Sequence, residues 1–169
     1  MAAIEVLLVQ AGESAGIAAG GLDAPGACWI GASIGDVGAD AIGDAAGGTG
    51  ILLAGVIGIE TIVDTAVIRS LAVAQAMRRR GIGAALVGAA RKAAHTRGAR
   101  RLYALGPRGQ DSSARDYLLR FGFEPVIPTA MLEELDGTFT ASYLRARPER
   151  LARIDALGLD ISRDGMIVR

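Results

Sequence analysis

A cluster of arginines and glycines near the middle of the chain has the composition of an anion site. Residues 78–84 read Arg-Arg-Arg-Gly-Ile-Gly-Ala and lead into a segment with helical periodicity. The first N–H groups of a helix lack intrahelical partners and lie at the positive end of its dipole, so they stabilise a phosphate. The glycines leave these N–H groups accessible, and guanidinium groups bind phosphate oxygens. The sequence therefore predicts a phosphate site formed by Arg78, Arg79, Arg80, Gly81, Ile82, Gly83 and Ala84.

The residues around this segment narrow the kind of ligand. A P-loop requires Gly-Lys-Ser/Thr at the start of the helix, but Gly83 is followed by Ala84. A dinucleotide fingerprint requires a third glycine at the position of Leu86. The segment instead resembles the acyl-CoA site of the GNAT superfamily of N-acetyltransferases. The signature of that site is Arg/Gln-x-x-Gly-x-Gly/Ala, which Arg78, Gly81 and Gly83 fill.

The resemblance extends beyond this motif. Family members follow the helix with a strand and then with Asn-x-x-Ala-x-x-x-Tyr-x-x-x-Gly-Phe, a spacing occupied here by Asp111, Ala114, Leu118, Gly122 and Phe123. Residues 58–60 and 68–73 are similar to a small bacterial branch that includes arsenic-resistance and amino-acid acetyltransferases. The resemblance implies an α+β GNAT fold, in which a mixed, mostly antiparallel sheet is flanked by helices, with acetyl-CoA as cosubstrate.

The strand before the arginine–glycine segment has a role that the resemblance implies. In the family this strand carries a bulge and diverges from its neighbour, and its exposed backbone holds the pantetheine arm. The matching residues here are Leu71, Ala72 and Val73. Because side chains alternate along a strand, two sets are predicted to face opposite sides, namely Val67, Arg69, Leu71 and Val73 against Ile68, Ser70 and Ala72.

Two charged residues near this strand are candidates for chemistry. Many relatives carry a glutamate base near the position of Val67, so Glu60 is the candidate base here. The alternative for Glu60 is an edge glutamate that faces solvent or pairs with an arginine. Arg69 lies inside an apolar strand, where an unpaired charge is unfavourable. It either binds a substrate carboxylate or pairs with Glu60 or Asp64.

The residue expected to act as general acid also differs from the family pattern. The tyrosine that protonates the departing thiolate falls at Leu118, while Tyr117 lies one residue earlier. Either Tyr117 or Tyr103 substitutes, or the thiolate leaves without an acid, because thiols are good leaving groups. Asp111 replaces the usual asparagine and is predicted to cap a helix over 112–121.

These residues predict an acetyl-CoA-dependent N-acetyltransferase. A small primary amine attacks the thioester directly, and the acceptor is amino-acid-like if Arg69 binds a carboxylate. The absence of the usual glutamate and tyrosine keeps open a non-catalytic acyl-CoA-binding module. Acetylation of a protein or peptide is a third possibility.

Length, charge and composition set the remaining expectations. The 169 residues predict a single domain over 1–169, with 148–169 as an alternative C-terminal extension. All 18 Lys and Arg follow residue 68, and eight acidic residues precede it. A basic C-terminal part suits a polyanionic cosubstrate, and the alternative is that the two oppositely charged parts attract each other. The absence of aromatic residues interleaved with the basic ones disfavours nucleic-acid binding. The single cysteine and the absence of a basic, apolar leader predict a cytoplasmic protein. The longest uncharged run, residues 45–59, is too short to span a membrane, and a homodimer is allowed.

The spacing of Asp36, Asp40 and Asp44 differs from that of an EF-hand, so no metal is predicted. The pattern of apolar residues and of glycine and proline also predicts the elements of the fold. Strands are expected at 4–9, 28–34, 51–60, 102–105, 123–128 and 138–145, and residues 62–73 are expected to contain a turn near Asp64 and a further strand. Helices are expected at 12–22, 82–97, 112–121, 131–135 and 149–157.

Overall fold

The computed structural model describes residues 25–34, 52–109 and 113–163. The predicted strand at 4–9, the helix at 12–22, the aspartates at 36, 40 and 44, and Asp111 lie outside the described residues. The strands are β1 (Ala27–Ile34), β2 (Leu52–Ile62), β3 (Thr65–Val73), β4 (Arg101–Pro107), β5 (Glu124–Val126) and β6 (Ile154–Asp160). The helices are α1 (Ile82–Thr96), α2 (Ser113–Leu119), α3 (Pro128–Glu134), α4 (Phe139–Arg145) and α5 (Pro148–Leu151), with a 3₁₀ turn at Gln75–Met77.

The six strands form one mixed sheet in the order β1-β2-β3-β4-β6-β5. β3 and β4 are parallel, and the other neighbouring pairs are antiparallel. The parallel pair is connected by α1, which is the usual way to join parallel neighbours. The predicted α+β architecture, a mostly antiparallel sheet flanked by helices, is confirmed.

A β-bulge in β3 separates this strand from β4. Gly58 of β2 lies opposite Ser70 and Ile59 lies opposite Ile68, so Arg69 is the additional residue of the bulge. The ladder between β3 and β4 ends at the pair Ile68 and Ala104. Because a bulge bends its strand, β3 diverges from β4 beyond this pair. We call the resulting gap the β3–β4 cleft.

The bulge also reverses the alternation of side chains, so the predicted faces of β3 are wrong. Leu71 and Val73 pack in the same core cluster as Ile68 and the residues of α1. Val67 packs in a separate cluster with residues of α3 and α4. One extra residue in the strand exchanges the two faces for every residue after it, which a strict period of two cannot anticipate.

Two apolar layers cover the sheet. On one face, α1 contributes Leu86, Val87, Ala90 and Ala94 to the core. On the opposite face, α3 contributes Met131 and Leu132, and α4 contributes Ala141 and Leu144. No helix in the described part of the chain combines the length and the apolar character needed to cross a membrane.

Two predicted elements near the C-terminus are wrong. Residues 138–145, predicted as a strand, contain α4, and residues 149–157, predicted as a helix, contain the single turn of α5 and the start of β6. β6 lies between β4 and β5, within the segment considered as an extension. Gly158, the residue directly after the predicted helix, lies in β6, where a Cβ atom would approach Val126 to 3.0 Å and Tyr103 to 3.1 Å. Close strand packing therefore explains this glycine.

Candidate active site

The N-terminus of α1 is open. Gly81 adopts a left-handed conformation (φ +80°), and its carbonyl accepts the first helical hydrogen bond from Ala85 N at 3.0 Å. No side chain caps the helix at Gly81, and its first turn contains no acidic residue. A Cβ atom on Gly81 would meet nothing within 4 Å, so space is available in front of the helix. These features suit an incoming anion.

The three arginines before α1 are exposed, and one of them joins this site to β3. Arg78 donates from Nε to the carbonyl oxygen of Val73 at 3.3 Å. Arg79 adopts a left-handed conformation (φ 65°), which is uncommon for a residue with a side chain. The chain therefore makes a sharp reversal between the end of β3 and the start of α1, and the arginine–glycine segment lies at the mouth of the β3–β4 cleft.

The backbone of β3 beyond the bulge is available on one edge. Leu71, Ala72 and Val73 pair with β2 on the other edge. In the described part of the sheet, β4 reaches no further along β3 than Ile68. A free strand edge presents N–H and C=O groups that an extended ligand can pair with.

Tyr117 lies beside the N-terminus of α1. A Cβ atom on Gly83 would be 2.7 Å from the Tyr117 hydroxyl, which places this hydroxyl against the second residue of α1. Its ring meets Phe121 edge-on at 5.0 Å. Burial raises the pKa of Tyr117, and a phenol is protonated at neutral pH even without this shift. Leu118, at the position of the family tyrosine, packs in the core instead.

Tyr103, the alternative general acid, lies away from the N-terminus of α1. It is buried with Val67 and Met131 on the face opposite α1. Burial also raises the pKa of Tyr103, and its hydroxyl accepts a hydrogen bond from Arg101 at 3.4 Å.

Glu60 lies fully buried at the first turn of α4. Its carboxylate accepts hydrogen bonds from the backbone N–H of Phe139, from the N–H of Thr140 at 3.1 Å and from the Thr140 hydroxyl at 2.8 Å. A carboxylate at this position also interacts favourably with the helix dipole. The contacts connect β2 to α4, and the catalytic role of Glu60 stays a prediction.

Arg69 pairs with Glu60, one of the two structural partners considered for it. Its Nε is 3.8 Å from Glu60 Oε2, and its guanidinium lies 4.8 Å from the centre of the Phe139 ring. The side chain is only 3% exposed. Burial lowers the pKa of Arg69, and the Glu60 carboxylate opposes that shift. Arginine nevertheless remains charged at neutral pH.

A pocket of about 400 Å³ opens beside Arg69, and we call it the α4 pocket. Arg69 and Leu105 both line it, and they are the first residues beyond the last β3–β4 pair. The pocket therefore meets the β3–β4 cleft. The remaining lining residues are Gly106, Pro107, Phe139, Thr140, Tyr143, Leu144, Arg150, Arg153 and Ile154.

Sequence patterns did not reveal the α4 pocket, because most of its wall lies in segments predicted with the wrong secondary structure. One local signal was present at Thr138, whose hydroxyl accepts a hydrogen bond from Ala141 N at 3.0 Å. Threonine at such a position is typical of a helix N-cap. The pocket lies on the face of the sheet that α4 covers, and α1 covers the opposite face.

Comparison with known proteins identifies the family to which this fold and site belong. A family model described as the Acetyltransferase (GNAT) family matches residues 22–123. A comparison with curated protein sequences found no significant match. Among solved structures, similarity extends over most of the Rv2747 protein of Mycobacterium tuberculosis in complex with CoA and the ligand NLQ. That similarity has a TM-score of 0.60 at 16% identity and covers 94% of this chain and 92% of the other.

Two further solved structures share the fold. The PaiA N-acetyltransferase of Thermoplasma acidophilum in complex with coenzyme A has a TM-score of 0.50 at 16% identity, covering 92% of this chain and 67% of the other. N-acetylglutamate synthase of Neisseria gonorrhoeae, complexed with coenzyme A and N-acetyl-glutamate, has a TM-score of 0.50 at 20% identity, covering 64% of this chain. The match spans 23% of that longer enzyme. With the family model matching more than half of its residues, this chain belongs to the GNAT family of acetyltransferases.

Proposed function

We propose that this protein is an N-acetyltransferase that transfers an acetyl group from acetyl-CoA to a small primary amine. One observation carries the proposal: β3 diverges from β4 at the Arg69 bulge, directly before the open N-terminus of α1. The divergence leaves one edge of β3 free, and this edge leads directly to the proposed phosphate site at the N-terminus of α1. An elongated ligand with a phosphorylated end fits both parts.

The chain's own groups fit the cosubstrate. The backbone of Leu71, Ala72 and Val73 would pair with the pantetheine arm, and the N-terminus of α1 with Arg78, Arg79 and Arg80 would bind the phosphates. Acetyl-CoA supplies an activated thioester, whose acetyl group the amine accepts as the CoA thiol leaves. Coenzyme A in the related Neisseria and Thermoplasma structures supports this choice of ligand.

The protein would accelerate the transfer mainly by holding the two reactants together. Backbone N–H groups on the free edge of β3 are suited to stabilise negative charge on the thioester oxygen. The amine must be neutral to attack, so a base is needed for its ammonium form. The acceptor would approach through the α4 pocket, because that pocket meets the β3–β4 cleft from the face opposite α1.

Glu60 is the proposed base, acting directly or through a water. Its three hydrogen bonds and its contact with Arg69 equally support a positioning role for α4 and Arg69. The variant Glu60→Gln separates the two roles. Loss of turnover with unchanged folding and unchanged acceptor KM supports the base, whereas a raised acceptor KM with retained kcat supports positioning.

Tyr117 is the proposed acid for the departing thiolate. Its hydroxyl borders Gly83 and is protonated at neutral pH, although burial raises its pKa and so makes it a weaker acid. Because a thiolate is already a good leaving group, the contribution of this proton transfer is expected to be modest.

The direct test measures acetyl-CoA binding by calorimetry and CoA release with a panel of small amines and N-terminal peptides. Binding with turnover supports the proposal. Binding without turnover of any amine favours the acyl-CoA-binding module, for which Val67 and Leu118 are the relevant departures from the family. Faster turnover of peptides than of free amines favours a peptide acetyltransferase, and absence of binding overturns the proposal.

A further inference from the structure

The α4 pocket is lined by three arginines, and no acidic residue is among its eleven lining residues. Arg69 lies at its inner end, beside the β3–β4 cleft. Arg150 is half-buried, with its guanidinium 5.6 Å from the centre of the Tyr143 ring, and Arg153 is exposed. The charged groups therefore extend from the cleft to the outer rim of the pocket.

Three acidic residues lie near these arginines in space or in sequence, namely Glu60, Glu149 and Asp155, and Glu149, next to Arg150 in sequence, is exposed. Glu60 pairs with Arg69 at 3.8 Å and also accepts hydrogen bonds from the first turn of α4. Asp155, two residues after Arg153, pairs with Arg108 at 3.3 Å and with Arg115 at 3.6 Å. Glu60 thus compensates Arg69, whereas Arg150 and Arg153 line the pocket without an acidic residue among its lining residues, and their charge attracts an anionic group.

The rest of the pocket is apolar. The rings of Phe139 and Tyr143 line the pocket. The side chains of Leu105, Pro107 and Ile154 also line it. A volume of about 400 Å³ accommodates an acceptor of the size of one amino acid. A ligand suited to this lining combines an apolar body with a negative charge.

Resting on the proposed function, we infer that the α4 pocket selects acceptors that carry a carboxylate, which Arg150 and Arg153 bind while the amine faces the β3–β4 cleft. Guanidinium groups bind carboxylates through two parallel hydrogen bonds and so fix orientation as well as charge. The acceptor class is therefore a carboxylate-bearing primary amine with an apolar body, rather than a polycation or an uncharged amine.

The test compares acetylation of matched amines, namely L-phenylalanine against L-phenylalaninamide and 6-aminohexanoate against 6-aminohexanamide. We expect the carboxylate to have the higher kcat/KM in at least one pair. The phenylalanine pair is a stringent comparison, because the amide is the weaker base and its amine is more often neutral. In Arg150→Gln/Arg153→Gln, the KM for the preferred carboxylate should rise about tenfold or more, with little change for its amide.

Arg147→Gln is the matched control. Arg147 stacks on the Tyr143 ring at 4.1 Å but does not line the pocket, so its replacement removes one positive charge nearby, against two in the double variant. The carboxylate preference should persist in this variant. Equal turnover of acid and amide in both pairs, or equal effects of all the arginine variants, would overturn the inference and leave the proposed function intact.

A binding measurement decides the inference even if no amine is acetylated. N-acetyl-L-phenylalanine and its amide cannot react, and calorimetry gives their affinities with and without CoA. Tighter binding of the acid that is lost in Arg150→Gln/Arg153→Gln supports the carboxylate site independently of turnover. Equal binding of acid and amide contradicts it, whereas failure of CoA itself to bind contradicts the proposed function.

Discussion

The N-termini of α1 and α4 present the same backbone donors in opposite settings. At α4, Glu60 accepts hydrogen bonds from the N–H groups of Phe139 and Thr140, and Thr138 accepts one from Ala141. At α1, Gly81 precedes the helix, no side chain caps it there, and exposed arginines replace acidic residues. The protein neutralises one helix N-terminus with its own carboxylate and leaves the other available.

This difference indicates how the two helices contribute to function. Glu60 lies 79 residues before Phe139, so its contact fixes α4 against the sheet and shapes the pocket beside it. The N-terminus of α1 has no comparable internal partner at its cap and suits a ligand phosphate. A helix N-terminus therefore indicates an anion site when the chain leaves it uncapped and surrounds it with positive charge.

The largest effect is expected from removing the carboxylate that caps α4. Glu60→Ala should lower the free energy of unfolding by about 3–5 kcal/mol, because Arg69 and the N–H groups of α4 lose this buried partner. Glu60→Gln should lower it less, since an amide oxygen still accepts a hydrogen bond. Urea denaturation followed by circular dichroism measures both values.

The matched control is Glu134→Ala. Glu134 pairs with Arg101, but their side chains are 39% and 56% exposed, so the expected loss is below about 1 kcal/mol. Equal losses in Glu60→Ala and Glu134→Ala would show that α4 does not depend on its buried carboxylate.

The second prediction concerns a substitution that places a carboxylate at the N-terminus of α1, as Glu60 does at α4. Ala84 is the third residue of α1, and Ala84→Glu places a carboxylate in the first turn. The variant should lose most of the stabilisation by acetyl-CoA, about 2.7 kcal/mol at one hundred times Kd, because the new charge repels the phosphates. Thermal unfolding with and without acetyl-CoA measures this stabilisation.

Ala84→Gln is the control for the size of the new side chain, and it should retain most of the stabilisation. Without ligand, the glutamate variant should be as stable as the wild type or slightly more so, since acidic residues favour helix N-termini. If both variants keep full stabilisation by acetyl-CoA, its phosphates do not bind at α1.

The third prediction concerns Tyr117, which borders the open N-terminus. Tyr117→Phe should lower kcat about tenfold, below the usual range for general acid catalysis because the thiolate leaves readily. Steady-state kinetics would separate this effect from binding. An unchanged kcat with a raised KM for acetyl-CoA would mean that the hydroxyl contributes to the phosphate site alone.

The smallest effect concerns stability at high pH. Burial raises the pKa of Tyr117 above the unfolded value near 10, so the folded state holds its proton more tightly. Its contribution to stability is present below pH 10 and is lost as pH rises through the folded pKa. The urea midpoint should therefore decline less steeply above pH 10 in Tyr117→Phe. Identical slopes would show that the phenol is not desolvated.

The arginine–glycine segment, β3 and α1 follow from local sequence. Their signals lie within a few residues of one another: helical periodicity, glycines at 81 and 83, and the arginines before them. Local backbone preference and the helix dipole act over the same short range. The arginine–glycine segment and α1 could for that reason be located without coordinates, whereas the mixed sheet was expected from the resemblance to the GNAT family, and the phosphate site stays a prediction.

Tertiary structure alone decided α4, β6 and the pocket between them. The segment of α4 alternates well enough to resemble a strand, but a carboxylate from β2 satisfies its first N–H groups as a helix. β6 forms in place of a predicted helix because its backbone pairs with β4 on one side and with β5 on the other. The Arg69 bulge changed which side chains face the pocket. Each outcome depends on partners distant in sequence, and such long-range contacts override local preference.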